Sequence, residues 1–504
     1  MDWFDEDPGL PIKFGPCSNG EYEPQPLSPV ITETIRRARE ECERNARRIG
    51  MSRREFLLSA MGAATTLMML DACTREEARS RTRTTRPGTA PGGTYSPPGG
   101  TFAVPTEATV EPTAAETTVG GEEFILDVQG HLLEYDVNPI SAEAETWWSR
   151  FPQQNCGESD PRVCFDIEHF MTEFFLRSDT SMLVLSALPI APVGSVLTPE
   201  VMDETRRVAE VLCHDERVLL HALVMPNVGS VPGNLDEMAD RASRYPIRAW
   251  KAFTHYPDFY SGQGGWWFDD HERGAPKVGD AFLDRAVEVG VPVVATHKGL
   301  SGGSRFASPE DIGPAARKHP EVSFLVYHSG FETSTVEGPY TNATKTVGVN
   351  RLITSLKEAG IGPNENVYAE LGSTWWYLMK TPDQAAHVLG KLLKHVGEDN
   401  VIWGTDSIFY GSPQDQIQAF RAFHITPEYQ ERYGYPELTK ELKAKIFGRN
   451  AAAVYGVDPV AVPCEFTRAE LERVRRSLRL GNRTFGPTTT AEVRAFNDHH
   501  QGWP

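Results

Sequence analysis

Histidines and an aspartate follow apolar runs at four distant places in the sequence. His131 comes shortly after the run at 124–128, His297 and His328 follow two later runs, and Asp406 follows the last one. Neutral imidazole nitrogens and a carboxylate oxygen are ligands that zinc, iron or manganese take in proteins. Such an ion lowers the pKa of water towards neutrality, and a nearby imidazole or carboxylate can then move protons. Each residue alone is more often a packing residue, but the set of four predicts a metal-dependent reaction centre.

These residues need a scaffold that brings the ends of distant strands together. Apolar, β-branched runs bounded by turn residues predict eight strands, at 124–128, 182–187, 218–224, 247–251, 292–296, 323–327, 366–371 and 400–404. Longer amphipathic segments predict helices at 168–177, 199–213, 280–289, 309–319, 343–359, 383–396 and 413–423. Alternating strands and helices favour an α/β fold, here a (β/α)8 TIM barrel with loop insertions, whose functional groups lie at the carboxyl ends of the strands. A doubly wound open sheet is the alternative, but no glycine-rich phosphate loop follows the first strand.

The order of the strand-end residues resembles the amidohydrolase superfamily. It is most similar to the amidohydrolase-related group that includes aminocarboxymuconate-semialdehyde decarboxylase and γ-resorcylate decarboxylase. The segment KIFGRNA at 445–451, followed by VYG at 454–456, resembles the closing helix of that group, which would seal the last helix against the first strand. The resemblance covers about 122–460, and together its motifs are specific.

The resemblance implies a mononuclear site for one divalent ion, with zinc expected first and manganese second. His131, His297 and Asp406 would be its ligands, and His328 would activate water or relay a proton. Many members carry HxH on the first strand, whereas this chain has Gln129 in the first position. A neutral amide oxygen is a poorer ligand, so Gln129 is expected to give weak help to a fairly labile site.

Other side chains at the predicted strand ends are candidates for the substrate site. Lys251 is expected to pair with a substrate anion rather than to be carbamylated between two metals. Glu370 is expected to orient a histidine or accept a proton, with a structural ion pair as an equal alternative. Aromatic residues in the segments that follow strands would form a substrate wall or, equally, pack over the barrel mouth; they are Trp147, Trp148, His255, Tyr256, Trp266, Trp267, Phe268, Trp375 and Trp376.

These expectations favour a metal-dependent hydrolase, in which activated water attacks the carbonyl of a small amide, ester or lactone, aromatic substrates included. Non-oxidative decarboxylation of an aromatic or unsaturated acid on the same site is the closest alternative. A metal-free binding protein is the third, because of Gln129. A serine hydrolase with Ser301, Asp406 and His424 would match the GxSxG pattern at 299–303, but no sharp strand–Ser–helix turn is predicted there. The net charge of −19 argues against nucleic-acid binding.

The segments outside the barrel predict export. Residues 1–50 form a leader, and 51–73 resemble a twin-arginine signal that begins at Arg53 and Arg54 and ends in a lipoprotein-like box at Cys73. Use of the twin-arginine machinery would place the protein in the periplasm or on the outer face of the cell membrane, with an acylated Cys73 as a tether. A short buried helix is the alternative. Translation from Met1 or from Met51 fits equally.

The remaining predictions concern the linker, the C-terminus and the cysteines. Residues 74–121 are rich in Thr, Pro and Gly and predict a flexible tether. Residues 461–504 form a helical appendage, in which Thr467 caps a helix that packs on the barrel or in a homodimer. Cys156 and Cys164 are either bridged or free thiols.

Overall fold

The computed structural model describes residues 8–84, 97–134, 161–189, 197–257, 264–460 and 464–478. Its strands are β1 (Gly100–Phe102), β2 (Leu126–Gly130), β3 (Met182–Ser186), β4 (Val218–Val224), β5 (Ile247–Ala252), β6 (Val293–His297), β7 (Ser323–Tyr327), β8 (Val367–Glu370), β9 (Val401–Ile402) and β10 (Phe423–Ile425). Strands β2 to β9 are the eight that the sequence predicts, each within two residues at both ends. The apolar runs therefore locate the whole sheet.

Strands β2 to β9 form one parallel sheet in chain order, and the sheet closes on itself. Across the seam, Val128 N donates a hydrogen bond to Trp403 O at 3.0 Å, and Asp406 N donates one to Gln129 O at 2.9 Å. The turn of π-helix at Lys445–Arg449 packs beside this seam, where Trp403 N donates to Ile446 O at 3.0 Å. The predicted (β/α)8 TIM barrel is confirmed.

Helices surround the barrel and extend it at both ends of the chain. They are α1 (Pro29–Ile49), α2 (Arg53–Leu57), α3 (Ala60–Thr84), α4 (Pro112–Val119), α5 (Ile167–Met171), α6 (Pro199–Cys213), α7 (Val231–Arg244), α8 (Gly279–Glu288), α9 (Ile312–Lys318), α10 (Asn350–Ala359), α11 (Thr374–Leu378), α12 (Pro382–His395), α13 (Gln414–Ala422), α14 (Pro427–Tyr433), α15 (Lys440–Ala444), α16 (Asn450–Tyr455) and α17 (Arg468–Leu478). Shorter 3₁₀ turns lie at Thr106–Thr109, Pro161–Phe165, Arg305–Ala307, Pro309–Asp311 and His328–Gly330, and a second π turn lies at Thr172–Leu176. Helix α7 was not predicted: its sequence is amphipathic, but it is polar overall and Met238 is its one buried residue.

Much of the N-terminal region is folded against the barrel. Residues 97–121, part of the predicted flexible tether, contain β1, which pairs antiparallel with β10, and α4. The ring of Phe102 packs edge-on against that of Phe423, with the ring centroids 5.6 Å apart. The composition of 74–121 did not predict this folded structure, because one large apolar side chain, Phe102, is enough to attach a three-residue strand to the barrel. The tether prediction is therefore corrected for 97–121 and for the end of α3, and residues 85–96 lie outside the described part.

The predicted export signal lies in α2 and α3. Helix α1 turns a stripe of small buried side chains towards α3, and its Arg37 forms an ion pair with Glu76 of α3 at 2.9 Å. Phe56, Leu70 and Cys73 are buried, which is the arrangement of the alternative, a buried helix. Among the described helices, none combines the length and apolarity that a bilayer crossing requires. Export itself stays a prediction.

A disulfide connects the C-terminal appendage to the barrel. Cys213, the last residue of α6, is bonded to Cys464, with the two Cα atoms 4.8 Å apart. The hydroxyl of Thr467 accepts a hydrogen bond from Glu470 N at 3.2 Å at the start of α17, as the sequence predicts. Cys164 is disulfide-bonded as well, whereas Cys156, its predicted partner, lies outside the described residues. The appendage is thus covalently held to the barrel wall.

Candidate active site

The strand-end residues meet at the mouth of the barrel. His131, His297, His328 and Asp406 are all buried, with at most 1% of each residue exposed. His131 Nε2 lies 3.0 Å from Asp406 Oδ1, and the rings of His297 and His328 have centroids 4.7 Å apart. Barrel closure thus gathers three imidazoles and a carboxylate that are far apart along the chain.

Backbone carbonyls fix the orientation of two of these imidazoles. His131 Nδ1 lies 2.7 Å from Ser186 O, and His328 Nδ1 lies 2.8 Å from Gly372 O. A carbonyl can only accept, so each Nδ1 carries the hydrogen, and in the neutral ring each Nε2 presents its lone pair. Metal-binding histidines are commonly held this way.

The turns that carry these residues are strained. His328 and Asp406 adopt the left-handed backbone region, with φ of 65° and 59°. Such a conformation costs about 1–3 kcal/mol for a residue with a side chain and persists where its surroundings enforce it. Here Asp127 accepts hydrogen bonds from Gln129 N at 3.0 Å and Thr405 N at 3.1 Å, which ties the first strand to the last beside Asp406.

Glu370 supports the same region from the end of β8. Its carboxylate accepts hydrogen bonds from His328 N at 3.0 Å and Gly372 N at 2.5 Å. Burial raises the pKa of Glu370 well above its usual value, despite these two donors. Glu370 therefore holds the backbone of His328, while its expected roles of orienting a histidine ring or accepting a proton stay predictions.

Gly404 leaves room for Glu370. A Cβ added at Gly404 would lie 1.8 Å from Glu370 Oε1, so Gly404→Ala must displace this buried carboxylate. We expect Gly404→Ala to lower the free energy of unfolding by about 1–3 kcal/mol, the usual cost of overpacking. Chemical denaturation measures this loss, and Gly274→Ala, whose added Cβ meets nothing within 4 Å, is the control. Equal stability of the two variants would contradict the tight packing described here.

An N-terminal segment reaches into the mouth of the barrel. Glu21 Oε1 lies 3.0 Å from His297 Nδ1, and Glu21 Oε2 lies 3.4 Å from His328 Nε2. Asn19 Nδ2 donates a hydrogen bond to Asp406 Oδ2 at 2.6 Å. Asn19 and Glu21 were not predicted as site residues, because residues 1–50 were expected to form a leader. The alternation of Leu10, Ile12 and Phe14 before them was the available signal of an ordered extended segment.

The segment is attached to the barrel loops on both sides of Glu21. Before it, Lys13 N donates to Asp415 Oδ2 at 3.1 Å, and Cys17 Sγ donates to Phe409 O at 3.2 Å. After it, the hydroxyls of Tyr22 and Tyr410 lie 3.0 Å apart. These contacts hold the Glu21 carboxylate at one place in the mouth.

Burial controls the charge of the imidazoles. Burial, reinforced by the charge of Lys251, lowers the pKa of His297 to about 3. Burial also lowers the pKa of His328 to about 4, although the Glu21 carboxylate opposes this shift. For Asp406, burial acts to raise the pKa, but the contact with His131 and the hydrogen bond from Ser373 Oγ outweigh it and hold the pKa below its usual value. Near neutral pH the cluster therefore contains unprotonated imidazoles beside a carboxylate.

The donor atoms of this cluster fit a divalent cation. Gln129 Oε1, His131 Nε2 and His328 Nε2 are buried and have no hydrogen-bond partner within the described part of the chain. Glu21, His297 and His328 each place one ligand atom within 4.8 Å of the other two, whereas His131 and Asp406 are not part of this compact group among the described residues. Buried polar atoms without partners are costly, and neutral nitrogen with anionic oxygen is what zinc or manganese binds.

Two of the predicted substrate residues, Lys251 and His255, lie beside the histidine cluster. Lys251 is buried beside the cluster, with Nζ 3.5 Å from the centroid of the Tyr327 ring, and burial lowers the pKa of Lys251 to about 7. The ring of His255 lies 4.8 Å from that of His297, between centroids. Both residues therefore lie beside the predicted ligands, and their contact with substrate stays a prediction.

The tryptophans are core residues. Trp266 packs against Phe268, with ring centroids 4.8 Å apart, while Trp375 Nε1 donates to Gln416 O at 2.9 Å. Both indoles are buried, which favours the packing alternative for this aromatic set over a substrate wall. Sequence could not separate the two roles because large aromatics are common in both. Trp147 and Trp148 lie outside the described residues.

A cavity of about 690 Å³ opens beside the N-terminal segment. Its lining comes from residues 20–24, the glycine-rich loop at 300–303, residues 332–335 and 346–348, and Arg351. Glu21 lies between this cavity and the histidine cluster. Ser301 lies in the loop, after β6 has ended at His297 and before the 3₁₀ turn at Arg305, so the strand–Ser–helix turn of a serine hydrolase is absent here.

A comparison with family models finds one match, to the family described as amidohydrolase, over residues 191–457, more than half of the chain. The chain belongs to the amidohydrolase family. The matched region runs from before β4 to the end of the barrel and includes His297, His328 and Asp406. The family agrees with the superfamily resemblance, while the finer decarboxylase-like grouping stays a prediction. No curated protein matches this amidohydrolase.

Several solved structures are similar to this amidohydrolase at low identity. An uncharacterized TIM-barrel protein from Bordetella bronchiseptica is 14% identical, with 66% of this chain and 99% of that chain covered and a TM-score of 0.41. A 2,6-dihydroxybenzoate decarboxylase complexed with 2,6-dihydroxybenzoate is 13% identical, with 66% and 100% covered and a TM-score of 0.35. Amidohydrolase 2 from Bifidobacterium longum subsp. infantis is 12% identical, with 67% and 100% covered and a TM-score of 0.34.

Proposed function

We propose that this amidohydrolase is a metal-dependent hydrolase of small amides, esters or lactones. The observation that carries the proposal is the buried cluster at the barrel mouth, where Gln129 Oε1, His131 Nε2 and His328 Nε2 lack hydrogen-bond partners among the described residues and the Asp406 carboxylate faces His131. Such a cluster would be costly to bury without a cation. Metal dependence, hydrolysis and substrate class are all part of the proposal.

Three residues would hold the ion: His131, His297 and Asp406, with Gln129 Oε1 beside them. Zinc is the first expectation and manganese the second. The ion would supply Lewis acidity and would lower the pKa of a water molecule. The chain itself orients the histidines: Ser186 O and Gly372 O fix the rings of His131 and His328.

His328 is the proposed proton carrier. Its Nδ1 is held by Gly372 O, so Nε2 is the atom that accepts a proton, and its low pKa keeps that atom unprotonated at neutral pH. Glu370 fixes the backbone of His328 without reaching the proton that moves. The 690 Å³ cavity provides space for a small substrate, and the glycine-rich loop at 300–303 borders it.

Non-oxidative decarboxylation is the second candidate, and Lys251 favours it. A buried ammonium group close enough to feel the charges of Glu21 and Asp406 can also balance the carboxylate of an acid substrate. In that reaction the substrate loses CO₂ and a proton is delivered to carbon. Hydrolysis, in contrast, needs no substrate carboxylate.

A product assay distinguishes these functions. The purified full chain is incubated with zinc or manganese and with a panel of amides, esters and lactones, and separately with aromatic and unsaturated acids. Release of acid from the first panel supports hydrolysis, whereas release of CO₂ from the second supports decarboxylation. Turnover that survives complete metal removal would contradict both. If the chain binds no metal and turns over neither panel, the remaining alternative, a metal-free binding protein, would be favoured.

Export to the periplasm or the outer face of the cell membrane is our proposal for location. The Cys213–Cys464 disulfide supports it, because stable disulfides are characteristic of oxidising compartments. Arg53 and Arg54 are exposed at the start of α2, where the twin-arginine machinery would recognise them. Replacing both with lysine should retain the protein inside the cell, and cell fractionation measures this. A homodimer stays a prediction. A lipid tether at Cys73 also stays a prediction, and it excludes the contacts of Asn19 and Glu21 in the barrel mouth, because processing there would separate residues 1–72 from the barrel.

A further inference from the structure

We propose that Glu21 is a ligand of the metal ion, supplied by the N-terminal segment where the first strand carries the weak ligand Gln129. This inference rests on the proposed metal-dependent function and on a mature chain in which residues 1–72 stay attached to the barrel. It adds a residue that lies outside both the matched family region and the predicted barrel. The N-terminal segment is defined here as residues 8–28.

The first argument is the contact between Glu21 and His328. Because His328 Nδ1 donates to Gly372 O, the neutral ring turns the lone pair of Nε2 towards Glu21 Oε2 at 3.4 Å. Two acceptors at this distance repel each other unless a proton or a metal ion lies between them. A metal ion bound by Glu21 beside His328 is such a partner.

The second argument is that the same pattern occurs twice in the cluster. His131 Nδ1 is held by Ser186 O, so its Nε2 turns a lone pair towards Asp406 Oδ1 at 3.0 Å. Asn19 links the two places, because its Nδ2 donates to Asp406 Oδ2 and to Glu21 Oε2. A cation bound at Glu21 would therefore lie next to the Asp406 carboxylate, which shares the Asn19 amide with Glu21.

The third argument is the balance of charge. With Gln129 neutral, the expected ligand set contains one carboxylate, Asp406, against a doubly charged ion. Glu21 adds the second carboxylate and makes the ion and its ligands neutral overall. Since uncompensated charge is expensive to bury, and the Glu21 side chain is only 10% exposed, a neutral set is the stable arrangement.

The N-terminal segment is built to hold Glu21 in place. Ile12 and Phe14 are buried in the core, and Asn19 is 4% exposed. Lys13 N donates to Asp415 and the hydroxyl of Tyr22 meets that of Tyr410, so both flanks are attached to the barrel. A ligand that is already positioned loses little conformational entropy when an ion binds.

The test measures zinc binding in the full chain. Apoprotein is titrated with zinc in competition with a chromophoric chelator, for wild type, Glu21→Gln and Glu23→Gln. Glu23 is exposed in the same segment, so Glu23→Gln is the control for an equal change of charge. We expect Glu21→Gln to weaken zinc binding at least tenfold, since even losing an outer partner of a ligand costs about 10–100-fold. Glu23→Gln should bind like wild type.

A second measurement covers the case in which Glu21→Gln fails to fold. Glu21→Asp keeps the charge but shortens the side chain, and its cobalt(II) form should have a visible spectrum that differs from that of wild type. The cobalt form of Glu23→Asp should keep the wild-type spectrum. An unchanged spectrum in Glu21→Asp would overturn the proposal.

The outcomes separate this inference from the proposed function. Equal zinc affinity of Glu21→Gln and wild type would overturn the ligand role, even if the enzyme turns over its substrates. Equal affinity with faster turnover would identify Glu21 as a plug on the substrate path, which also overturns it. Tight binding by wild type that Glu21→Gln loses, without turnover of any substrate, would support the ligand and reject the function. A wild type that binds neither zinc nor manganese would reject both.

Discussion

Asp406→Asn is expected to lower turnover on the order of 10³-fold and to weaken zinc binding. The asparagine has the size of aspartate and can still accept from Asn19 Nδ2 and Ser373 Oγ, which lie 2.6 and 2.5 Å from Asp406 Oδ2. It removes the charge that faces His131 and would face the ion. A Lewis acid contributes several kcal/mol of transition-state stabilisation, and each 1.36 kcal/mol is a factor of ten in rate. The measurements are turnover in the product assay and zinc content of the purified protein.

Asp415→Asn is the matched control for this variant. Asp415 is also a buried carboxylate near the mouth, and it accepts from Lys13 N at 3.1 Å, but it is outside the histidine cluster. We expect Asp415→Asn to keep its zinc and most of its turnover. If Asp406→Asn kept full activity with bound zinc, Asp406 would not be a ligand and the predicted metal site at the strand ends would be wrong.

The barrel was predictable because its signals are local. Each strand is a short apolar run between turn residues, and the eight runs needed no knowledge of their partners. The strand-end positions of His131, His297, His328 and Asp406 then follow from the architecture, since closure brings the carboxyl ends of parallel strands to one face. Periodicity therefore predicted both the scaffold and the residues that converge on it.

The N-terminal contribution to the site was not predictable in the same way. Glu21 meets His297 and His328 across nearly three hundred residues of chain, and no local pattern carries a contact of that kind. The segment is rich in Pro, Gly and acidic residues, a composition more typical of disorder than of a folded region. It is ordered because the barrel loops supply its partners, and a single sequence does not reveal those partners.

The aromatic residues show a different limit. Trp266 and Trp375 follow strands, where substrate-binding residues are also found, but both are buried among other aromatic rings. A large apolar ring gains free energy from burial in the core or from contact with a ligand. Residue type and position along the chain were therefore insufficient, and only the packing separates the two roles.

Lys391→Met is expected to lower the free energy of unfolding by about 3–5 kcal/mol. Lys391 Nζ lies 2.7 Å from Glu337 Oε2, and neither side chain is exposed. Glu337 also accepts from Val349 N at 2.9 Å, so the pair connects α12 to the chain that leads into α10. Methionine fills a similar volume but leaves the Glu337 carboxylate buried without its cation, and removing one partner of a buried pair carries this cost.

The measurement is denaturation of Lys391→Met beside Lys345→Met. Lys345 pairs with Glu358 at 3.2 Å on the surface, and the side chains are 46% and 67% exposed, so water screens the charges. Lys345→Met should change the free energy of unfolding by less than about 0.5 kcal/mol. The double variant Lys391→Met with Glu337→Gln should regain part of the loss, because the carboxylate left without its cation is then neutral. If the double variant were less stable than Lys391→Met, the cost would come from packing of the methylene chain rather than from the unpaired charge.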